Sequence, residues 1–129
     1  MRILGIDYGR RKIGLAIADG PLAEPWKVFR YEDVDEVIKK VIQVIKVERI
    51  ERVVVGISEG EMGRESKDFS LSLSISLRIP VKTFDETLTT QEAQRLSIEA
   101  GITRSKRKEL EDAYAACVML QSYLEVNHV

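Results

Sequence analysis

The sequence predicts one α/β domain, in which a mixed sheet with an antiparallel hairpin side and a parallel side is flanked by helices. Three observations carry that expectation. The chain opens on two apolar, β-rich runs joined by a short charged turn. A segment of helical period then leads into Arg52–Ile57, an apolar run dominated by valine that suits a strand buried on both faces. Helix-capping signatures follow a second short strand further on. A helix between two buried strands is the crossover that a parallel pair requires.

Arg2–Tyr8 is the first strand run, with Asp7 near its end. Gly9–Lys12 breaks the apolar pattern as a turn, and Ile13–Ala18 is a second run, so residues 2–18 form a hairpin. Trp26–Tyr31 is a third strand. Asp33 and Glu36, at N-cap and N3 spacing, open a helix whose Val34, Val37, Ile38, Val41, Ile42 and Ile45 recur at helical period. Ser58–Ser66 is polar and glycine-containing, and is expected as a mobile loop.

Residues 69–77 support two readings. Phe69, Leu71, Leu73, Ile75 and Leu77 alternate with polar residues as a strand would, whereas Phe69, Leu73 and Leu77 share one face of a helix. The crossover needed between two buried strands selects the helix. Pro80 ends it, and Val81–Phe84 is a short strand delivering Asp85 and Glu86. Thr89 and Glu92 make a capping box for a helix to about Ala100, which Gly101 terminates. Thr103–Lys108 is a basic linker, and a last helix spans Lys108–Val126.

At 129 residues, 44% hydrophobic and 32% charged, the chain fits a single globular domain over residues 1–129. Its net charge of −1 gives no global attraction to nucleic acid, so a nucleic-acid binder would have to concentrate Lys and Arg locally. With Cys117 alone, no intramolecular disulfide can form; its place on an apolar stripe reads as packing. The N-terminal apolar run is short and interrupted by charges, unlike a signal peptide, and no stretch approaches the roughly 20 apolar residues of a bilayer span. The expected setting is the cytoplasm.

Three carboxylates stand out. Asp7 ends a buried strand inside Gly5–Gly9, G-I-D-Y-G, where glycines let backbone approach a phosphate or metal; equally, a turn aspartate satisfies local N–H groups. Asp85-Glu86 follows a strand at the sheet end where α/β folds bind ligands, but acids also favour a helix N-terminus. Asp112 is the most telling. On a helical wheel Leu110, Ala113, Cys117, Leu120 and Leu124 form the core stripe, and Glu111, Gln121, Ser122 and Glu125 the polar sector. Asp112 lies outside that sector, where an ionised carboxylate needs a metal or a basic partner. The small side chains of Ala113, Ala115 and Ala116 would let this helix approach the sheet closely.

Carboxylates on three separate elements suit Mg²⁺ or Mn²⁺, hard cations that prefer oxygen ligands. Two such ions about 4 Å apart clamp the attacking and leaving oxygens of a phosphodiester. Arg10, Arg11 and Lys12 adjoin Asp7, and Arg104, Lys106, Arg107 and Lys108 precede Asp112; both clusters are placed to contact phosphates, or are simply solvated charge runs. Glu59 is a reserve carboxylate.

GIDYGRRKIGLAIAD at 5–19, VVVGI at 53–57, PVKTFDETLTTQEA at 80–93 and KRKELEDAYAACVMLQSYL at 106–124 together resemble the YqgF/RuvX family of pre-16S rRNA nucleases, also described as Holliday junction resolvase-like. The resemblance implies an RNase H-like fold with a central five-stranded sheet. It implies metal-binding, catalytic roles for Asp7, Glu86 and Asp112, a cytoplasmic location, and maturation of the 5′ end of 16S rRNA. The family commonly has arginine where this chain has Thr87, and proline where it has Ser58.

The primary expectation is a Mg²⁺- or Mn²⁺-dependent endonuclease acting on structured RNA, which the resemblance implies is a ribosomal RNA precursor, with branched DNA as the rival. A non-catalytic nucleic-acid-binding factor is a further alternative. An actin-like ATPase, which also uses a G-x-D-x-G phosphate motif, would place nucleotide between two such domains, and this sequence supplies one. The sequence predicts no dimer interface.

Overall fold

The computed structural model describes residues 1–89, 95 and 110–128. Strands β1 (Arg2–Tyr8), β2 (Lys12–Asp19), β3 (Ala23–Arg30), β4 (Arg52–Ile57) and β5 (Val81–Asp85) form one sheet in the order β3-β2-β1-β4-β5. β1, β2 and β3 pair antiparallel in sequence, while β4 lies parallel to both β1 and β5. This is the mixed five-stranded sheet expected. Helices α1 (Val34–Val47), α2 (Gly60–Ser76) and α3 (Glu111–Val126) are the long helices among the described residues.

Alternation along the strands divides the core into two layers. Leu4, Ile6, Ile13, Leu15, Val53 and Val55 pack with Val37 and Val41 of α1 and Phe69 and Leu73 of α2. On the other face Ile3, Ala16, Ala18, Val54 and Phe84 pack with Ala116, Cys117 and Leu120 of α3. Asp33 caps α1, its carboxylate accepting from the Asp35 amide at 3.1 Å. Glu36 does not reach back to complete a capping box but pairs with Lys40 at 3.6 Å.

The expected loop at Ser58–Ser66 is corrected: α2 begins at Gly60 and runs unbroken to Ser76. Its buried face at this end consists of Gly63, Ser66 and Ser70, which carry no hydrophobic signal. The Ser66 and Ser70 hydroxyls donate to the carbonyls of Met62 and Lys67 at 2.7 and 2.8 Å, so their burial leaves no orphaned donor. Over 69–77 the helical reading holds to Ser76: Phe69 and Leu73 are buried while Leu71 and Ile75 face solvent.

In α3, the apolar stripe is as expected, but Gln121 and Ser122 are buried rather than solvated. The Gln121 amide donates to the Pro21 carbonyl at 3.0 Å and accepts from the Ala23 amide at 2.8 Å, tying α3 to the start of β3. Cys117 packs in the core with its Sγ 3.2 Å from the Ala23 carbonyl. The described part of α3 starts at Glu111, and the expected basic linker lies outside the described residues. So does the helix expected after Thr89, apart from Arg95, which is helical. No helix among the described residues is long and apolar enough to cross a membrane.

Candidate carboxylate site

Asp7 is the penultimate residue of β1, the central strand, and shares the α3 face with Ile3. Its neighbours across the ladders are glycines on both sides, Gly14 in β2 and Gly56 in β4. Each glycine makes room for another acid. A Cβ on Gly14 would overlap the carbonyl oxygen of Asp112, and one on Gly56 would stand 2.6 Å from Glu86 Oε1. The helix that carries Asp112 and the turn that carries Glu86 therefore settle onto the sheet where side chains are missing.

Glu86 begins a single 3₁₀ turn, Glu86–Leu88, directly after β5. Asp85 caps that turn, accepting from the Thr87 amide at 2.9 Å and the Thr87 hydroxyl at 2.8 Å. Those bonds hold the Asp85 carboxyl below its ordinary range. Of the two adjacent acids, Asp85 is thus the structural one and Glu86 is free to turn inward. Thr87 brings no charge and serves the cap.

Asp112 lies in the first turn of α3, with its Oδ2 2.9 Å from Lys12 Nζ. Asp7 stands between the other two acids. Burial first, then repulsion from Glu86, a hydrogen bond shared with Glu86 and repulsion from Asp112 push its carboxyl up to about 8. A group so raised holds its proton because burial and the neighbouring carboxylates all disfavour its charged form. Among the described residues no three Asp, Glu, His or Cys side chains are drawn tightly enough to enclose an ion. Asp7 and Glu86 face one another, while Asp112 is held by Lys12.

Asp7 and Glu86 open into a cleft of about 540 Å³, bordered also by Thr89, Glu111, Tyr114 and Met119. Glu111, assigned from the wheel to the solvent sector, is a further acid at this cleft. Of the expected phosphate contacts, Arg10 is engaged by α2, its Nε 2.9 Å from Glu65 Oε2 and its Nη2 3.7 Å from Glu61. Arg11 is exposed, and its carbonyl accepts from the Tyr31 amide at 2.9 Å. The Tyr31 hydroxyl donates to the Gly9 carbonyl, so the turn at 9–11 is pinned from the end of β3. Arg104, Lys106, Arg107 and Lys108 lie outside the described residues. Glu59 occupies the N-cap position of α2 without a side-chain capping bond and lines a separate cleft with Ser58, Lys67 and Asp85.

A mixed five-stranded sheet with this strand order, bearing an acid on its central strand, defines an RNase H-like α/β fold. Two solved structures share it over 98% of this chain. One is RuvC of T. thermophilus in complex with Holliday junction substrate, at TM-score 0.65 and 18% identity over 96% of that chain. The other is the fowlpox virus resolvase with Holliday junction DNA, at TM-score 0.65 and 14% identity over 99% of that chain. Identities this low establish the fold alone.

The chain belongs to the RuvX family, described as Holliday junction resolvase, whose sequence profile matches residues 1–126. A relative from Halothermothrix orenii is 39% identical, covering 96% of this chain and 94% of its own length. One from Caldanaerobacter subterraneus subsp. tengcongensis is 39% identical over 97% and 96%, and one from Desulforamulus reducens 34% identical over 97% of each. All three bear the name "Putative pre-16S rRNA nuclease". The family is thus one of nucleases, hydrolases acting on ester bonds.

Proposed function

We propose that this chain is a divalent-metal-dependent endonuclease acting in the cytoplasm on structured RNA, and that its substrate is the 16S rRNA precursor, cut during maturation of the 5′ end. The observation that carries the proposal is the convergence of Asp7, Glu86 and Asp112, from β1, the turn after β5 and α3, on one end of the sheet. An all-carboxylate donor set suits Mg²⁺ or Mn²⁺. The raised Asp7 carboxyl supports that reading, since carboxylates crowded together in a half-buried site favour a bound cation. When bound, one or two such ions would supply an activated water and neutralise charge developing on the phosphate.

In this reading Asp7 and Glu86 hold the cation at the cleft, and Asp112 completes the set once released from Lys12. Asp85 and Thr87 fix the turn that aims Glu86. Arg11, exposed beside the site, and the basic residues Arg104, Lys106, Arg107 and Lys108 contact the phosphate backbone and set the register of the substrate. The name shared by the three relatives supports ribosomal RNA as the substrate.

The family description supports a second reading, the same chemistry on branched DNA. Symmetric cutting of a junction needs two sites and hence a dimer. End-labelled precursor rRNA and a four-way DNA junction, each incubated with Mn²⁺, Mg²⁺ or chelator, separate the two. Metal-dependent cutting of the RNA alone supports the primary reading, and cutting of the junction alone by a dimer replaces it with the second. Binding without cleavage of either substrate would identify a non-catalytic factor instead.

A further inference from the structure

Lys12 opens β2 two residues before Gly14, beneath the first turn of α3. Its Nζ lies 2.9 Å from Asp112 Oδ2, with the two side chains 43% and 29% exposed. This ion pair brings a cation to the three acids, whereas Arg10, on the same hairpin, is drawn to Glu65 and Glu61. A lysine ammonium is a compact, strongly hydrated charge on a flexible stem, able to retract into water without moving the backbone.

We propose that Lys12 is a resident counter-cation for Asp112: it holds that carboxylate while the site is without a divalent ion and must leave it before Asp112 can ligate one. The inference rests on the metal-binding reading of the site. It makes Lys12 a positioning residue that competes with the ion. Asp7 and Glu86 take a cation first, and ligation by Asp112 follows only when the lysine is displaced. The partly exposed side chain of Lys12 gives its ammonium a path into solvent, so the exchange needs a rotamer change and no shift of β2 or α3.

The test is Mn²⁺ binding, followed by the loss of the free-ion EPR signal, for the wild type and Lys12→Gln, Lys12→Arg, Asp112→Asn and Lys12→Gln/Asp112→Asn. Lys12→Gln is expected to bind Mn²⁺ about three- to tenfold more tightly than wild type, the scale of a partly exposed ion pair. Lys12→Arg should stay near the wild-type affinity. In the Asp112→Asn background the gain from Lys12→Gln should fall below about twofold, because the coupling runs through that carboxylate. Thermal melts in chelator accompany each titration; a Lys12→Gln protein that melts lower yet binds Mn²⁺ more tightly separates competition from mere structural support.

Unchanged or weaker Mn²⁺ binding by Lys12→Gln would overturn the inference, as would an equal gain in the Asp112→Asn background, which marks a general charge effect. Asp7→Asn separates the two levels of the argument. If that variant loses Mn²⁺ while Lys12→Gln matches wild type, the metal site stands and the role of Lys12 falls. If neither the wild type nor any variant binds Mn²⁺, both fall.

Discussion

Gly14 lies directly across the β1–β2 ladder from Asp7, and the space a side chain would need there is filled by the main chain of Asp112. The depth at which α3 seats its first turn is therefore set by a missing methyl group. Gly14→Ala should lift that turn, lowering stability by about 1–3 kcal/mol as overpacking does. It should also reduce kcat at least tenfold through misplacement of Asp112, with a smaller change in KM. Melting curves and steady-state cleavage by one preparation check both; full activity in a stable Gly14→Ala protein would contradict this account of the packing.

The Asp7 carboxyl gives the ion-free protein a pH dependence with a definite sign. Its pKa rises from 3.8 to about 8 on folding, so between those values the native state holds a proton that the unfolded chain has released. That contribution to stability is complete below about pH 4 and is lost as pH rises towards 8, at most ~1.4 kcal/mol per unit. In chelator, Asp7→Asn should melt higher than wild type at pH 8, with the gap shrinking towards pH 5. Mn²⁺ should raise the wild-type Tm at pH 8 and leave the variant unchanged.

Arg10 is held by Glu65 and Glu61 on α2, so its availability to phosphate is reduced. Glu65→Gln should tighten RNA binding by about two- to fivefold, the worth of an exposed ion pair, with the gain fading as salt is raised. Arg10→Ala should weaken binding and flatten the salt dependence by about one unit of slope. Filter binding across a salt series reads both, and no effect of either substitution would remove Arg10 from the interface.

Gln121 bridges Pro21 and Ala23 from the interior of α3. Gln121→Leu would leave the buried Ala23 amide without its acceptor, at a cost of about 1–3 kcal/mol. Urea unfolding should show that loss, while cleavage under conditions where the protein stays folded remains near wild type.

β1, β2, β4 and β5 were legible because their apolar runs are continuous and their ends are marked by Gly, Pro and acids, whereas β3, expected at Trp26–Tyr31, begins at Ala23 and carries Pro25 within it. The helix at α2 was legible only in its second half, where Phe69 and Leu73 show the period. Its first half buries Gly63 and Ser66, small residues that a hydrophobic pattern cannot register. Gln121 and Ser122 misled in the same way: polar side chains satisfied inside the core look like a solvent face. Asp112 could be singled out from its place on the wheel, and Asp7 from its strand end. The glycines that shape the site are not those of G-I-D-Y-G flanking Asp7 along the chain but Gly14 and Gly56, its neighbours across the sheet. The one available signal was a glycine interrupting each of two apolar strands, I-G-L and V-G-I, and its meaning depended on a register the sequence does not state.

Cleavage of end-labelled precursor rRNA in Mn²⁺ by Asp7→Asn, beside wild type and with binding to the same RNA measured in parallel, tests the central claim most directly. The account predicts that Asp7→Asn binds the RNA and folds at least as stably as wild type, but cuts it at least about a thousandfold more slowly, a loss of ~4 kcal/mol of transition-state stabilisation. Wild-type cleavage by a folded Asp7→Asn protein would contradict it.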